Sequence, residues 1–245
     1  MIPTRLRVEF RDFFAQFDPE DNFLVRALRQ LTRVEVGPDA ELCFFSDFGD
    51  SHAGFSGCKV QVSGENRRPR YDDADFAIGF DRRIDEHYLR YPLWAWDVDT
   101  SALLVPSAER HPESPAEFCA FVAMNPASPI RNELFRALSA RGFVHAPGAL
   151  FHNTDGIGAR EDADWRTTKI DYLRKFRFTI AGENDAYPGY TTEKIVDAFL
   201  AGSVPVYWGD PLVERDFNRA AFINFAEHGT VARTVEAVLD AEGDT

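Results

Sequence analysis

The sequence predicts an α/β protein built from two Rossmann-like domains, residues 1–115 and 116–245, facing each other across a cleft. Three observations carry that prediction. Short runs with period-two or wholly apolar patterning alternate with segments of helical spacing, which is the signature of parallel sheets with helical crossovers. The alternation occurs twice. Between the two series the pattern weakens over residues 101–115, and ligands of such sheets gather beyond the strand carboxyl ends, so two units would enclose a site between them.

In the first series, TRLRVEF at 4–10 and GCKVQVSG at 57–64 alternate polar and apolar side chains as half-buried strands do. Phe23, Leu24, Ala27, Leu28 and Leu31 recur at helical spacing, and the β-branched run 32–36 and the apolar ELCFFS at 41–46 follow as strands. ADFAIGF at 74–80 is another strand, and Pro92 interrupts the aromatic stretch YLRYPLWAW. The second series opens with FCAFVAMN at 118–125, an apolar run suited to a buried parallel strand. PIRNELFRALSARG then reads as a helix with Pro129 at its start and Gly142 as its stop. FVHAPG is a strand entering a turn, 153–164 a polar loop, DWRTTKIDYLRKF a helix, FRFTIAGE a strand, TTEKIVDAFLAG a helix and SVPVYWG a strand. AFINF and the helical VARTVEAVLDAEG complete the order.

A hydrophobic content of 44% and 27% charge describe a folded chain with a sizeable core, and the formal charge of −13 argues against nucleic acid as partner. A small anion in a local basic pocket is compatible with it. Cys43, Cys58 and Cys119 have neither metal-ligand spacing nor a disulfide framework, and three free thiols lead to the expectation of a cytoplasmic setting. The start MIPTRLRVEFRDFF lacks a signal-peptide pattern, and no run approaches the length of a membrane span. HExxH, GxSxG, GxGxxG and GK[ST] are all missing, which weakens zinc-hydrolase, serine-hydrolase, dehydrogenase and kinase readings. Asp72, Asp73 and Asp75 read as a solvated turn, and Tyr207 and Trp208 as core aromatics of a strand.

The chemistry-bearing residues gather where the strand FRFTIAGE meets the helix TTEKIVDAFLAG. Thr191 or Thr192 can cap that helix, Ile195, Val196, Phe199 and Leu200 form its buried face, and Gly202 supplies its exit. Lys194 places a cation against the positive end of the helix dipole, so an anion is needed beside it. A diphosphate on the free N–H groups would serve, and so would pairing with Glu193 or Asp197. Glu65, in the turn after GCKVQVSG, is either a solvated carboxylate or a functional one aimed at a ligand.

The run AGENDAYPGYTTEKIVDAFLAGSVPVYWGDP resembles the donor-binding motif of the α1,3/α1,4-fucosyltransferases, whose pattern is close to FEN, GYVTEKI, DA, LAG and PVYWG. SGEN at 63–66, DFAIGFD at 75–81, YLRYP at 88–92 and NPASPIRN at 125–132 resemble the bacterial members, in the same order. The resemblance covers the chain from about residue 60 onward. It implies a GT-B architecture and inverting transfer of L-fucose from GDP-fucose to a glycan hydroxyl, in α1,3 or α1,4 linkage to N-acetylglucosamine or glucose. It implies Glu65 as catalytic base, and Arg131 and Lys194 as the cations on the donor diphosphate. Asn184, Tyr190 and Glu193 would hold the nucleotide sugar, with Glu183 and Thr192 of lower rank. No metal site and no cofactor are implied, and any stimulation by divalent cations would lie outside the mechanism. The partners expected are GDP-fucose and an oligosaccharide acceptor. Another GDP-sugar as donor, or a binding module without turnover, remains compatible with these residues. The chain departs from the pattern where Ala181 and Gly182 precede Glu183 in place of the Phe of FEN, and where Thr191 stands for Val. Family members continue past AFINF through a longer helical region, so a further tail is expected, and with it any membrane-face contact or oligomer; neither is encoded in this chain.

Overall fold

In a computed structural model, which describes residues 3–83, 85–96, 98, 103, 115–158, 162 and 164–243, the chain forms two compact units, Met1–Val98 and Asp99–Thr245. The weak zone 101–115 lies mostly outside the described residues.

The first unit contains β1 (Arg5–Arg11), α1 (Phe23–Arg29), β2 (Arg33–Val36), β3 (Leu42–Phe45), β4 (Cys58–Val62), β5 (Phe76–Gly79) and β6 (Tyr88–Arg90). All pairings are parallel, in the order β2-β1-β3-β4-β5-β6. The alternation read from the sequence sorts the side chains between faces. Val8, Phe44, Val60 and Val62 pack with Leu24 of α1 in one core, while Cys43 and Phe45 point the other way and pack with Ala74. Asn22 caps α1, its side chain accepting from the N–H groups of Leu24 and Val25 at 3.1 Å each. The chain passes from β1 to β2 on one side and then crosses to β3 on the other. The topological switch point therefore lies between the carboxyl ends of β1 and β3.

A buried His52 ties together the loops at that end. Its Nδ1 lies 2.6 Å from Asp12 Oδ2 and its Nε2 2.6 Å from Asp73 Oδ2, and its ring stacks on Phe45 with 3.9 Å between centroids. Lys59 reaches Asp73 at 3.2 Å, and Asp75 accepts from the Lys59 N–H at 2.8 Å. The acidic run is a turn with Asp72 and Asp75 exposed, as read, but Asp73 is a structural tether for His52 and Lys59.

The second unit contains β7 (Glu117–Ala120), α2 (Pro129–Ser139), β8 (Val144–His145), α3 (Trp165–Leu173), β9 (Phe176–Gly182), α4 (Glu193–Ala201), β10 (Val204–Trp208), β11 (Ile223–Asn224), α5 (Phe225–His228) and α6 (Val231–Gly243). Its sheet is parallel, in the order β11-β10-β9-β7-β8. One face is covered by α2 and α6, where Leu134 and Leu138 meet Val235 and Val238 over Phe178, Ile180 and Val206. On the other face Leu173 packs with Phe176, Ala120 and Ala201. Pro129 opens α2 at a position whose N–H has no intrahelical acceptor, and Gly202 closes α4 with φ of 76°, a left-handed conformation that side chains disfavour. The switch point falls between β7 and β9, so both units share one winding.

The strand expected over 118–125 ends at Ala120. Phe121 keeps one ladder bond, from its N–H to the His145 carbonyl at 2.8 Å, and the chain then leaves the sheet toward α2. The three cysteines are free thiols, and among the described residues no helix is long and apolar enough to cross a membrane.

Burial alone would raise the Asp12 carboxyl, but the donors of Ser51 and His52 outweigh it and hold it down at about 2. A carboxyl depressed in the folded state contributes stability above its unfolded value near 4, and that contribution disappears as pH falls toward 2. Asp12→Asn is therefore expected to lower stability by on the order of 2 kcal/mol at neutral pH and to flatten its dependence between about pH 4 and 2. Denaturant midpoints across that range measure both effects.

Candidate functional site

Glu183 immediately follows β9 and is fully buried. Its Oε1 accepts the Thr192 N–H at 2.7 Å, and its Oε2 accepts the Thr192 hydroxyl at 2.7 Å and the Lys194 ammonium at 2.9 Å. Thr192 occupies the cap position of α4, but its hydroxyl serves Glu183 instead of a helix N–H. The strand end is thereby bound to the helix start. The anion that Lys194 requires is, in the folded chain, Glu183. Burial would lower the Lys194 ammonium, yet Glu183 and Glu193 outweigh it and hold it above the ordinary lysine value.

Asp197 does not pair with Lys194. It is buried one turn further along α4, where Lys169 Nζ and Arg166 Nε each lie 2.9 Å from it. Glu193 is half-buried at the first position of α4. Burial pushes its carboxyl up, but Lys194 first, then Lys169 and Arg166, bring it down to about 2, so it stays ionised. Tyr190 is buried, and its N–H donates to the Tyr187 carbonyl at 2.9 Å. Tyr207 is core as expected, its hydroxyl accepting the Asp210 N–H at 2.9 Å.

Arg131 is the unusual cation. It lies in the first turn of α2 with 2% of its surface exposed. One Nη donates to the Gly182 carbonyl at 3.2 Å and to Asn184 Oδ1 at 2.8 Å, and the other to the Asn125 carbonyl. Every acceptor is neutral. Its Nε has no partner, and no carboxylate among the described residues forms an ion pair with it. Burial accordingly pushes the guanidinium below its ordinary value, against the pull of Glu183 and Tyr190. Its stem lies against Gly182, where an added Cβ would stand 2.9 Å from Arg131 Cγ, so only glycine fits there.

Arg131, Lys169 and Lys194 line one recess with Phe121, Val122, Ala123 and Gly182. The recess sits beyond the carboxyl ends of β7 and β9, at the switch point of the second sheet. Lys194 pairs with Glu183, and Lys169 with Asp197, whereas Arg131, the third cation of the recess, is hydrogen-bonded to neutral acceptors alone. A buried cation without an ion-pair partner is costly, and an anion placed in the recess would lower that cost.

The structure thus brings the residues into two hydrogen-bonded groups that meet at the end of β9, Arg131 with Asn184 and Glu183 with Thr192 and Lys194, with Tyr190 and Glu193 on the connection into α4. Glu65 belongs to the first unit. It is exposed in the turn after β4, its carbonyl accepting the Arg67 N–H at 2.6 Å and the Ser63 hydroxyl at 3.2 Å. Among the described residues no group of three or more His, Cys, Asp or Glu side chains is placed to hold a metal ion. The sequence reading passed over Lys169 and Arg166. The available signal was Lys169 itself, four positions before the buried Leu173 on the inward face of α3.

Two parallel Rossmann-like units, one with a cation-lined recess at its switch point, define the GT-B class of glycosyltransferase architecture. Residues 8–96 match the family model of the α-(1,3)-fucosyltransferase FucT N-terminal domain, and residues 111–244 that of glycosyltransferase family 10 (fucosyltransferase), C-terminal. The chain belongs to glycosyltransferase family 10. It is 33% identical over 200 residues to the α-(1,3)-fucosyltransferase FucT of Helicobacter pylori, covering 68% of this chain and 40% of that protein. It is 36% identical over 58 residues to α-(1,3)-fucosyltransferase B of Drosophila melanogaster, covering 22% of this chain and 13% of that one. The chain therefore spans well under half the length of these relatives. A crystal structure of an α1,3-fucosyltransferase with GDP-fucose superposes with a TM-score of 0.78 over 98% of this chain and 78% of that one, at 24% identity, a likeness of fold.

Lys169→Met would leave the buried Asp197 with Arg166 alone. The expected loss is on the order of 2 kcal/mol of unfolding free energy, less than for a pair broken outright, with most of it restored by Lys169→Arg. Denaturant titration of the three proteins measures it.

Proposed function

We propose that this chain carries out inverting transfer of L-fucose from GDP-fucose to a hydroxyl of a glycan acceptor, in α1,3 or α1,4 linkage to N-acetylglucosamine or glucose. The observation that carries the proposal is the buried Arg131 guanidinium, hydrogen-bonded to neutral acceptors alone, at the switch point of a glycosyltransferase family 10 chain. The names of the relatives, α-(1,3)-fucosyltransferases, support the donor and favour the α1,3 linkage.

In the proposed reaction the bond from fucose C1 to the diphosphate oxygen breaks as the acceptor oxygen bonds C1 from the opposite face. Negative charge grows on the departing GDP. Arg131 meets that charge with a guanidinium whose bonded acceptors are all neutral, and Lys194, already oriented by Glu183, shares its ammonium between that carboxylate and the diphosphate. The N–H groups at the start of α4 add to the same field. Cations held in place before the reaction lower the barrier because they need not reorganise as charge develops. Asn184 fixes the Arg131 fork from the side. Tyr190 and Glu193 hold the ribose and sugar, the low carboxyl of Glu193 keeping it an acceptor of hydroxyl hydrogen bonds throughout the ordinary pH range. Glu65 takes the proton of the acceptor hydroxyl as the new bond forms. The proposed mechanism contains no metal step.

Arg131→Met removes a buried cation that has no carboxylate partner. The apo protein should lose about 1–3 kcal/mol as the Gly182, Asn184 and Asn125 acceptors lose their donor, and, measured against that new baseline, the thermal shift produced by GDP should largely vanish and turnover fall by about 10²–10³-fold. A Met variant that still responds to GDP like the wild type would sink the assignment. The activity itself is tested by GDP release from GDP-fucose and from GDP-mannose over N-acetylglucosamine and β-galactoside acceptors, in EDTA, with wild type and Glu65→Ala. Acceptor-dependent release from GDP-fucose alone, insensitive to EDTA and lost in the variant, is the expected result. Preference for GDP-mannose would change the donor, and unaltered turnover of the variant would remove Glu65 from the mechanism.

A further inference from the structure

The switch point of the first sheet, between β1 and β3, is the topological counterpart of the cation-lined recess in the second, and it is furnished in the opposite way. Phe14, in the connection after β1, and Phe48, in the one after β3, are 45% and 55% exposed, and their rings meet edge to face at 6.3 Å. Phe17 backs Phe14 at 5.9 Å and stacks on Phe13 at 3.9 Å, and this row leads into the core through Phe10 and Phe44. The exposed rings do not sit on slack segments. The Phe48 N–H donates to the Asp12 carbonyl at 3.0 Å, the Ser46 N–H to the Arg11 carbonyl at 3.1 Å, and the Phe17 N–H to the Phe14 carbonyl at 3.0 Å. The Asp12 carboxylate meanwhile secures the Ser51–His52 turn.

Exposing two large apolar rings on fixed loops costs free energy that burying them would recover. Their neighbour in sequence, Asp47, connects them to the Glu65 turn: its buried carboxylate accepts the Ser63 hydroxyl and lies 3.4 Å from Gln61 Nε2 and 4.0 Å from Arg67 Nε. Ser63 in turn touches the Glu65 carbonyl. We propose that Phe14 and Phe48 form a stacking platform for a neutral pyranose ring of the acceptor glycan, next to the sugar whose hydroxyl reacts. The C–H groups on one face of a pyranose are apolar and carry partial positive charge, which suits the negative face of a phenyl ring. Ligands of open parallel sheets lie outside the carboxyl ends at the switch point, which is where these rings stand. The inference rests on the transferase reading for the identity of the ligand, and its primary test is a binding measurement that needs no turnover.

Saturation-transfer NMR of N-acetyllactosamine and cellobiose, without donor, is compared for wild type, Phe48→Ala, Phe14→Ala and Phe48→Trp. Expected are transfer to the ring C–H protons in the wild type, loss in both alanine variants and retention in the Trp variant, with GDP thermal shifts equal in all four. In turnover, the alanine variants should raise the acceptor KM by about ten-fold or more with kcat at saturation little changed. Equal transfer in wild type and Phe48→Ala overturns the platform, as does no glycan signal with the wild type at millimolar concentration. Loss of self-association or of vesicle binding in Phe48→Ala, with glycan transfer intact, also overturns it by naming a different occupant. Phe48-dependent glycan binding without fucosyl transfer from GDP-fucose would uphold the platform and remove the transferase reading instead.

Discussion

The buried carboxylate of Glu183 is the constraint on which the second unit depends. A carboxylate with no solvent exposure is tolerable only when its lone pairs are filled, and here a backbone N–H, a hydroxyl and an ammonium fill them. All three donors come from the start of α4, so satisfying the charge fixes the helix against the end of β9. The same strand end offers the Gly182 carbonyl and Asn184 to Arg131. Three successive residues, 182–184, thus set the relation between two helices and a strand, and with it the spacing of Arg131 and Lys194 in the recess.

The two units answer one topology with different chemistry. Both wind so that the first strand of the sheet lies inside, flanked by the second and third, and both gather connecting segments at that reversal. In the second unit charged side chains line it, Lys169 and Lys194 held by buried carboxylates and Arg131 by neutral acceptors. In the first, aromatic rings line it, held by backbone hydrogen bonds and by a histidine bridging two aspartates. The contrast matches the proposed substrates, since a nucleoside diphosphate sugar is anionic and a neutral oligosaccharide offers only hydroxyls and C–H faces.

Much of this was legible in the sequence wherever the physics is local. Period-two alternation located β1 and β4 within a residue or two, and Pro129 and Gly202 marked a helix start and a helix end, because a missing N–H and a left-handed φ are properties of single residues. Residues 121–124 read as strand because they are apolar, yet Phe121, Val122 and Ala123 are apolar as the wall of the recess. The conflict of Lys194 with the helix dipole was visible; its resolution was not, since Glu183 is eleven positions away across a strand-to-helix connection. Lys169 was hidden for the same reason: its partner Asp197 lies on another helix, 28 positions on. The exposure of Phe14 and Phe48 had no local sign among so many phenylalanines.

Gly182 stands where the family pattern has phenylalanine, and the stem of Arg131 runs through the space a side chain there would take. The two positions are 51 residues apart, yet neither can change without regard to the other. A larger residue at 182 would have to push the arginine stem aside, and with it the guanidinium that reaches Asn184 and the Asn125 carbonyl. Packing therefore makes a glycine at a strand end and an arginine in a distant helix a single unit, to be exchanged together or not at all.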